Sequence, residues 1–465
     1  MRKDSGTAPL ISEPAVDENE KDQQAFIGIF IKTVEHFFGS FQRIFKGIAD
    51  PRKPKKITYS LTSLCFAGAL MFLFRLGARR QVTHQLRNNE PSRKKFEILF
   101  NVETFPHGDT LNDLYSTLST AQGQEAVTGI TETLIRKKVL YSSRLRGVYY
   151  VVAVDGTGTL TFDERHCPFC LTQTHGNKTT YYHKVLEAKL VTPDGFAFSL
   201  ITEFVENPGK NPTKQDCETK ALYRLAEKLK ERFPRLPICL SLDSLFAIGP
   251  VFELCDRYDW KYLVVHKDNL SSVEQQFQAL QKLQSENHLE RHTGRGAEIY
   301  QEYRWVNDII YIDTEKRQHS LSVLQCLETK PDKDGQMKTT RFQWVTNFKI
   351  SRAHVVEIAT DGGRNRWKVE NEGFNVQKNG GFALEHVYSN NETACKIFYF
   401  LLQIAYTLFQ LIQRGSLFRK AFPNGVGSAK NIAFRLFEAW RNFKLTRELF
   451  DKIRAERFQI RFDTS

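Results

Sequence analysis

VYYVVAVDGTG, residues 148–158, is a continuous apolar run that ends in Asp155 and a Gly-Thr-Gly triplet. It reads as a buried strand that closes at Asp155 and is followed by a turn. Two further β-rich runs come next, KVLEAKLV (184–191) and FAFSLITEFV (196–205), joined by Thr192-Pro193-Asp194-Gly195. Proline presets the φ of a turn and glycine tolerates its left-handed position, so this junction predicts a hairpin. A charged amphipathic helix over about 212–232, the strand LPICLSLD (236–243), a short helix over about 248–257 and the strand WKYLVVHK (260–267) complete the series. Antiparallel strands followed by strand–helix–strand units predict a mixed sheet with flanking helices, an α/β architecture.

Outward from this series the pattern changes twice. Residues 268–350 open with the helical stretch SSVEQQFQALQKLQ. Short strand-like pieces follow: IYQEYRWV, DIIYID, LSVLQCLET and RFQWVTNF. They predict an inserted, mostly β, subdomain, after which helical spacing returns from about 353 to about 457. On the other side, Ile27, Phe30, Ile31, Val34, Phe38, Phe41, Phe45 and Ile48 fall at helical spacing, and Asp50-Pro51 should end that helix. The chain therefore divides into a disordered tail (1–21), a helical domain (22–145), the first part of an α/β core (146–267), the β insertion (268–350), the second part of the core (351–415) and basic C-terminal helices (416–465).

The 465 residues carry 66 Lys+Arg against 53 Asp+Glu, a formal net charge of +13, and 41% of them are hydrophobic. Such a composition excludes global disorder and points to an anionic partner, nucleic acid or a membrane surface, although a basic enzyme with no such partner also fits. The excess is local: residues 43–95 hold 13 Lys/Arg and two acids, and residues 411–465 hold 12 and five. Surfaces that are merely solvated mix their signs, so phosphate contacts are the favoured reading, with Lys53, Lys55 and Lys56 of the loop PRKPKK as candidates. No helix-turn-helix pattern stands out.

The N-terminal stretch has no apolar core of the secretory kind. The apolar stretches 61–74 and 397–412 are shorter than the roughly 20 residues of a membrane span, and both read as buried core helices. Eight cysteines in a chain of this length do not make a disulfide scaffold. Cys167 and Cys170 differ from the rest. With His175 they give Cys-x2-Cys-x4-His, the spacing of a zinc knuckle. The expected fourth position is Thr180, and His183 could stand in for it. The alternative is two thiols in a loop beside polar histidines.

Asp155 and Asp243 each close an apolar strand. Carboxylates at the ends of neighbouring parallel strands can share divalent metal, although aspartate also commonly caps a turn. A third acid lies in DGGRNRWKVENEGFNVQKNGG (361–381), where Arg366 and Glu370 stand at i and i+4 and share a helix face. An ordinary surface ion pair would use the same spacing.

With these motifs in place, the chain resembles the DDE transposases of bacterial insertion sequences, in the group with a β-rich insertion before the catalytic glutamate. The likeness rests on VVAVDGTG, TYYHKVLEAKLV (180–191), LSLDSLF, RWKVENEGFN and QKNGGFALEHVYS (377–389). It implies an RNase H-like core whose acidic triad, Asp155, Asp243 and Glu370, binds two Mg²⁺ or Mn²⁺ ions. The family pattern Tyr-x2-Arg-x3-Glu-x6-Lys is met at Arg366 and Glu370. Gly363 stands at the tyrosine position, and Gln377, followed by Lys378, at the lysine position. Arg366, Trp367 and Lys378 are then candidate DNA contacts. The implied reaction is metal-dependent cleavage at the element's terminal inverted repeats, followed by attack of the freed 3′-hydroxyl on a phosphodiester, in a hairpin or in target DNA. The resemblance also implies a dimer on paired ends, in the prokaryotic cytoplasm at the nucleoid, with no membrane partner. Two alternatives share the fold: a DNA-binding protein without catalysis, and a metal-dependent nuclease that cuts without joining.

Overall fold

The apolar run at 150–154 forms a strand, but this strand does not stop at Asp155. β1 spans Tyr150–Phe162 and passes straight through the Gly-Thr-Gly triplet. The expected turn is absent because Gly156 serves close packing instead: a Cβ there would lie 2.4 Å from Glu218 Oε1. The chain is described by a computed structural model over residues 18–209, 212–267 and 269–462, the side chain of Lys56 excepted.

The later strands are β2 (Leu171–His175), β3 (Lys178–Val191), β4 (Ala197–Val205), β5 (Ile238–Leu242) and β6 (Lys261–Val265). The β3–β4 hairpin turns where its sequence predicts, with Gly195 at φ +90° and its N–H donating to Thr192 O. β2 and the first half of β3 form a further hairpin that their polar sequence did not announce. β1 runs antiparallel to β3 and parallel to β5, and β5 runs parallel to β6. Val154 lies opposite Leu242, so Asp155 and Asp243 follow as neighbours at the ends of that parallel pairing.

The insertion is not a detached subdomain. Its strands β7 (His288–Thr293), β8 (Ile299–Ile312), β9 (Gln318–Pro331) and β10 (Met337–Thr346) continue the same sheet. β10 pairs antiparallel with β6, setting Trp344 opposite Val265. The order across the sheet is β2-β3-β1-β5-β6-β10-β9-β8-β7, with β4 also on β3. An α/β protein with a mixed, mostly antiparallel sheet results.

The first helix runs Glu18–Phe38, so residues 18–21 belong to it rather than to a tail; the rest of the expected tail, residues 1–17, lies outside the described residues. It stops well before Pro51, because Gly39 adopts φ +75° and its N–H closes back on Glu35 O. The helices of the two chain ends interlock. Phe30 meets Trp440 at 5.9 Å, Phe26 meets Phe422 at 4.7 Å, and Phe72 of the helix Leu61–Leu73 meets Phe398. The helix Glu392–Arg414 runs through the middle of this body. By length and composition it could cross a membrane, yet it is almost entirely buried by its neighbours, as is Leu61–Leu73. Both apolar stretches are core helices here.

Candidate active site

Between β10 and the helix Glu392–Arg414 the chain makes a series of irregular turns. A wide π-type turn covers Ile358–Gly363, a tight 3₁₀ turn Arg364–Arg366 and a second π-type turn Val369–Asn375. Such widened turns are frequent at functional sites, where they re-aim side chains. This one carries Arg366 and Glu370 onto β1. Arg366 Nη1 donates to Asp155 Oδ2 at 2.9 Å and sits 2.7 Å from Glu370 Oε1. The guanidinium is buried, and its Nε finds no hydrogen-bond partner among the described residues.

Asp155 is pushed up to about 7, first by burial and then by the hydrogen-bonded Glu370 carboxyl, with Arg366 pulling the other way. Its Oδ1 also accepts the Gly156 N–H at 2.8 Å. Asp243 opens the tight turn Ser244–Phe246 but its side chain makes no cap hydrogen bond, so the carboxylate is not spent on capping. The strand register sets its backbone next to that of Asp155. The structure thus brings Asp155, Glu370 and Arg366 into contact, with Asp243 on the adjoining strand. Glu372, the nearby alternative to Glu370, is instead held by Lys368 at 2.8 Å.

The departures from the sequence motif have local causes. A side chain at Gly363 would collide with the Trp344 indole, 2.4 Å from where its Cβ would stand, so a strand of the insertion fills the tyrosine's place. Gln377 is fully buried and donates to Gln403 at 2.8 Å, whereas Lys378 is half-buried and pairs with Glu385 at 2.7 Å. Trp367 leaves half its surface exposed beside Arg366, its edge toward Phe342 of β10. Lys53 and Lys55 are exposed in their loop; the side chain of Lys56 lies outside the described residues. Much of the other positive charge in 43–95 is committed internally. Arg52 pairs with Asp50, Arg75 donates to Gly380 O between two phenylalanine rings, Arg87 donates to Phe105 O, and Lys95 is buried.

Behind the acids lies a polar cluster that sequence reasoning missed. Glu187 of β3 pairs in register with Asp155 and is fully buried. It accepts from Tyr399 at 2.6 Å and Thr202 at 2.9 Å, and its other oxygen lies 3.6 Å from Lys189 Nζ. Lys189 in turn donates to Ser199 and Gln403. Gln403 is the partner of Gln377, so the cluster ties the segment bearing Glu370 to β3. One signal was available: Glu187 and Lys189 share a face of an otherwise apolar strand, where charges are costly unless paired.

The cysteine motif also assembles, with one change of member. Cys167 Sγ lies 3.5 Å from Cys170 Sγ, and each sulfur is 3.4 Å from His183 Nε2. Burial lowers His183 to about 4 and raises Cys167 to about 12. His175 does not join them: it ends β2, exposed, opposite Lys178. His166 stands there instead, its ring stacked on Phe162 at 4.4 Å. No protein-family model and no curated protein matches this chain.

Proposed function

We propose that this protein is a DDE transposase of an insertion sequence, with an RNase H-like core, that cleaves DNA at terminal inverted repeats and joins it to a target. The observation that carries the reading is the delivery of Arg366 and Glu370 onto Asp155, whose strand runs parallel to and beside the one that ends at Asp243, by a segment more than 100 residues further along. The order β4-β3-β1-β5-β6, an antiparallel meander followed by two parallel strands, supports the RNase H-like assignment.

The donor set suits Mg²⁺ or Mn²⁺, since all three residues offer hard carboxylate oxygens. The raised proton affinity of Asp155 fits too: a largely buried carboxylate beside a second carboxylate calls for a cation. Asp155, Asp243 and Glu370 would hold such ions, which would supply Lewis-acid assistance to phosphodiester cleavage and transfer. The chain's own groups do the remainder. Arg366 balances the carboxylates and offers a buried guanidinium to a phosphate. Trp367 presents a ring against which a base can stack. Lys53 and Lys55 add exposed charge for the DNA backbone.

The test uses the full-length chain and DNA carrying the inverted repeats that border its gene. Asp155→Asn, Asp243→Asn and Glu370→Gln are each expected to cut cleavage and strand transfer by about 10²–10³-fold or more, with DNA binding retained. Full activity in any one of them refutes the triad. Binding with no cleavage by the unaltered protein would favour a non-catalytic DNA-binding role, and cleavage without joining a nuclease.

A further inference from the structure

The loop between β1 and β2 folds back so that its two cysteines reach β3. Phe162, the last residue of β1, stacks on His166 and turns its edge to His183. Asn207 ties the loop's backbone from the other side, donating through its side chain to Cys170 O at 2.8 Å and through its N–H to Phe169 O. The result gathers soft and borderline donors, two sulfurs and an imidazole nitrogen, at mutual separations of 3.4–3.5 Å.

Those separations, within reach of sulfur hydrogen bonds, are also those of ligands around one metal. Zn–S bonds of about 2.3 Å and Zn–N bonds of about 2.0–2.1 Å, at tetrahedral angles, put neighbouring ligand atoms about 3.3–3.8 Å apart. Cys167, Cys170 and His183 therefore occupy three corners of such a tetrahedron. The fourth corner has a candidate too. A ring nitrogen of His166 lies within 4.8 Å of the donor atoms of both Cys167 and His183. Its Nδ1 is buried with no hydrogen-bond partner among the described residues.

We propose that His166, Cys167, Cys170 and His183 form a Cys₂His₂ zinc site. Four protein ligands leave no open position, so the site is structural. It pins the β1–β2 loop to β3, the strand beside the one that bears Asp155. The ligand set differs from the spacing motif in using His166, on the near side of the cysteines, in place of His175. The assignment does not depend on the transposase reading.

The experiment measures metal in the full-length protein, produced in zinc-supplemented medium and purified without chelator. About one zinc per chain is expected in the unaltered protein, in His175→Ala and in Asp155→Asn, and less than about a tenth of that in Cys167→Ser/Cys170→Ser. His166→Ala should bind zinc at least about tenfold more weakly, read by competition with a colorimetric chelator. A zinc content below a tenth in the unaltered protein overturns the site, as does zinc that survives in the double cysteine variant. Loss in His175→Ala with retention in His166→Ala overturns the ligand set. Loss in Asp155→Asn would place the metal at the carboxylates. Should the cysteine variant fail to fold, cobalt substitution of the unaltered protein decides. Thiolate charge-transfer absorption with intense tetrahedral visible bands supports the site, and weak octahedral bands refute it.

Discussion

Lys189 is the residue on which the geometry behind the acids depends. It is wholly buried and shares its ammonium among Ser199, Gln403 and Glu187. Replacing it with methionine leaves Glu187 buried beside Asp155 without its cation. Breaking a buried pair in this way costs about 3–5 kcal/mol, so Lys189→Met should unfold at markedly lower denaturant. Lys189→Met/Glu187→Gln should recover part of the loss; no recovery would mean that the pair is not the cause. Lys95 makes a different prediction, in pH. It donates to Pro91 O and Phe443 O, and burial lowers it from its ordinary 10.5 to about 7. Between those two values the unfolded chain holds a proton that the folded chain has released. Stability from this group therefore rises with pH across the window and is lowest below about 7. Urea midpoints measured from pH 7 to 9.5 should climb more steeply for the unaltered protein than for Lys95→Met; parallel slopes would refute the assignment.

At the scale of elements, strands were easier to read than their ends. Apolar runs marked β1, β3, β4, β5 and β6, because burial on both faces demands such residues. The continuation of β1 past Asp155 was illegible, since Gly156 answers to Glu218 on a distant helix and not to a local turn. The same limit explains the site. Asp155 and Asp243 stand out locally as acids closing apolar runs, and Arg366 and Glu370 as an i,i+4 pair, but their grouping into one site came from the family resemblance and not from these local patterns. Glu187 shows in the sequence only as a charge two residues from Lys189 in an apolar strand; its place beside Asp155 comes from register, and that of His166 from a loop's return path. The basic loop carries its own prediction. Lys53 and Lys55 are exposed while much of the surrounding charge is internal, so on the proposed function Lys53→Ala/Lys55→Ala should reduce the salt dependence of binding to the repeat DNA. A fall in slope of about 1–2 is expected from measurements across salt concentration, and an unchanged slope would place the contacts elsewhere.

At the scale of the molecule, the domain plan drawn from charge and periodicity needs revision. Helical spacing identifies a buried stripe but not which helix covers it. Here the N-terminal helices are covered by the C-terminal ones, through Phe26, Phe30 and Phe72. A fragment spanning 18–145 would expose those faces to water. It should lack a cooperative thermal transition, whereas the full chain has one; a sharp transition in the fragment would show that it folds alone.

The interlocked ends also set a schedule for biosynthesis. The helix Glu18–Phe38 leaves the ribosome roughly 400 residues ahead of the helix Ala429–Asn442 that covers it. At about 5–20 residues per second, the earliest helices wait on the order of 20–80 s for their cover. Until then their aromatic faces are open to chaperones and proteases. A message cut short by a late stop codon would consequently yield no stable N-terminal remnant to accumulate beside the intact protein.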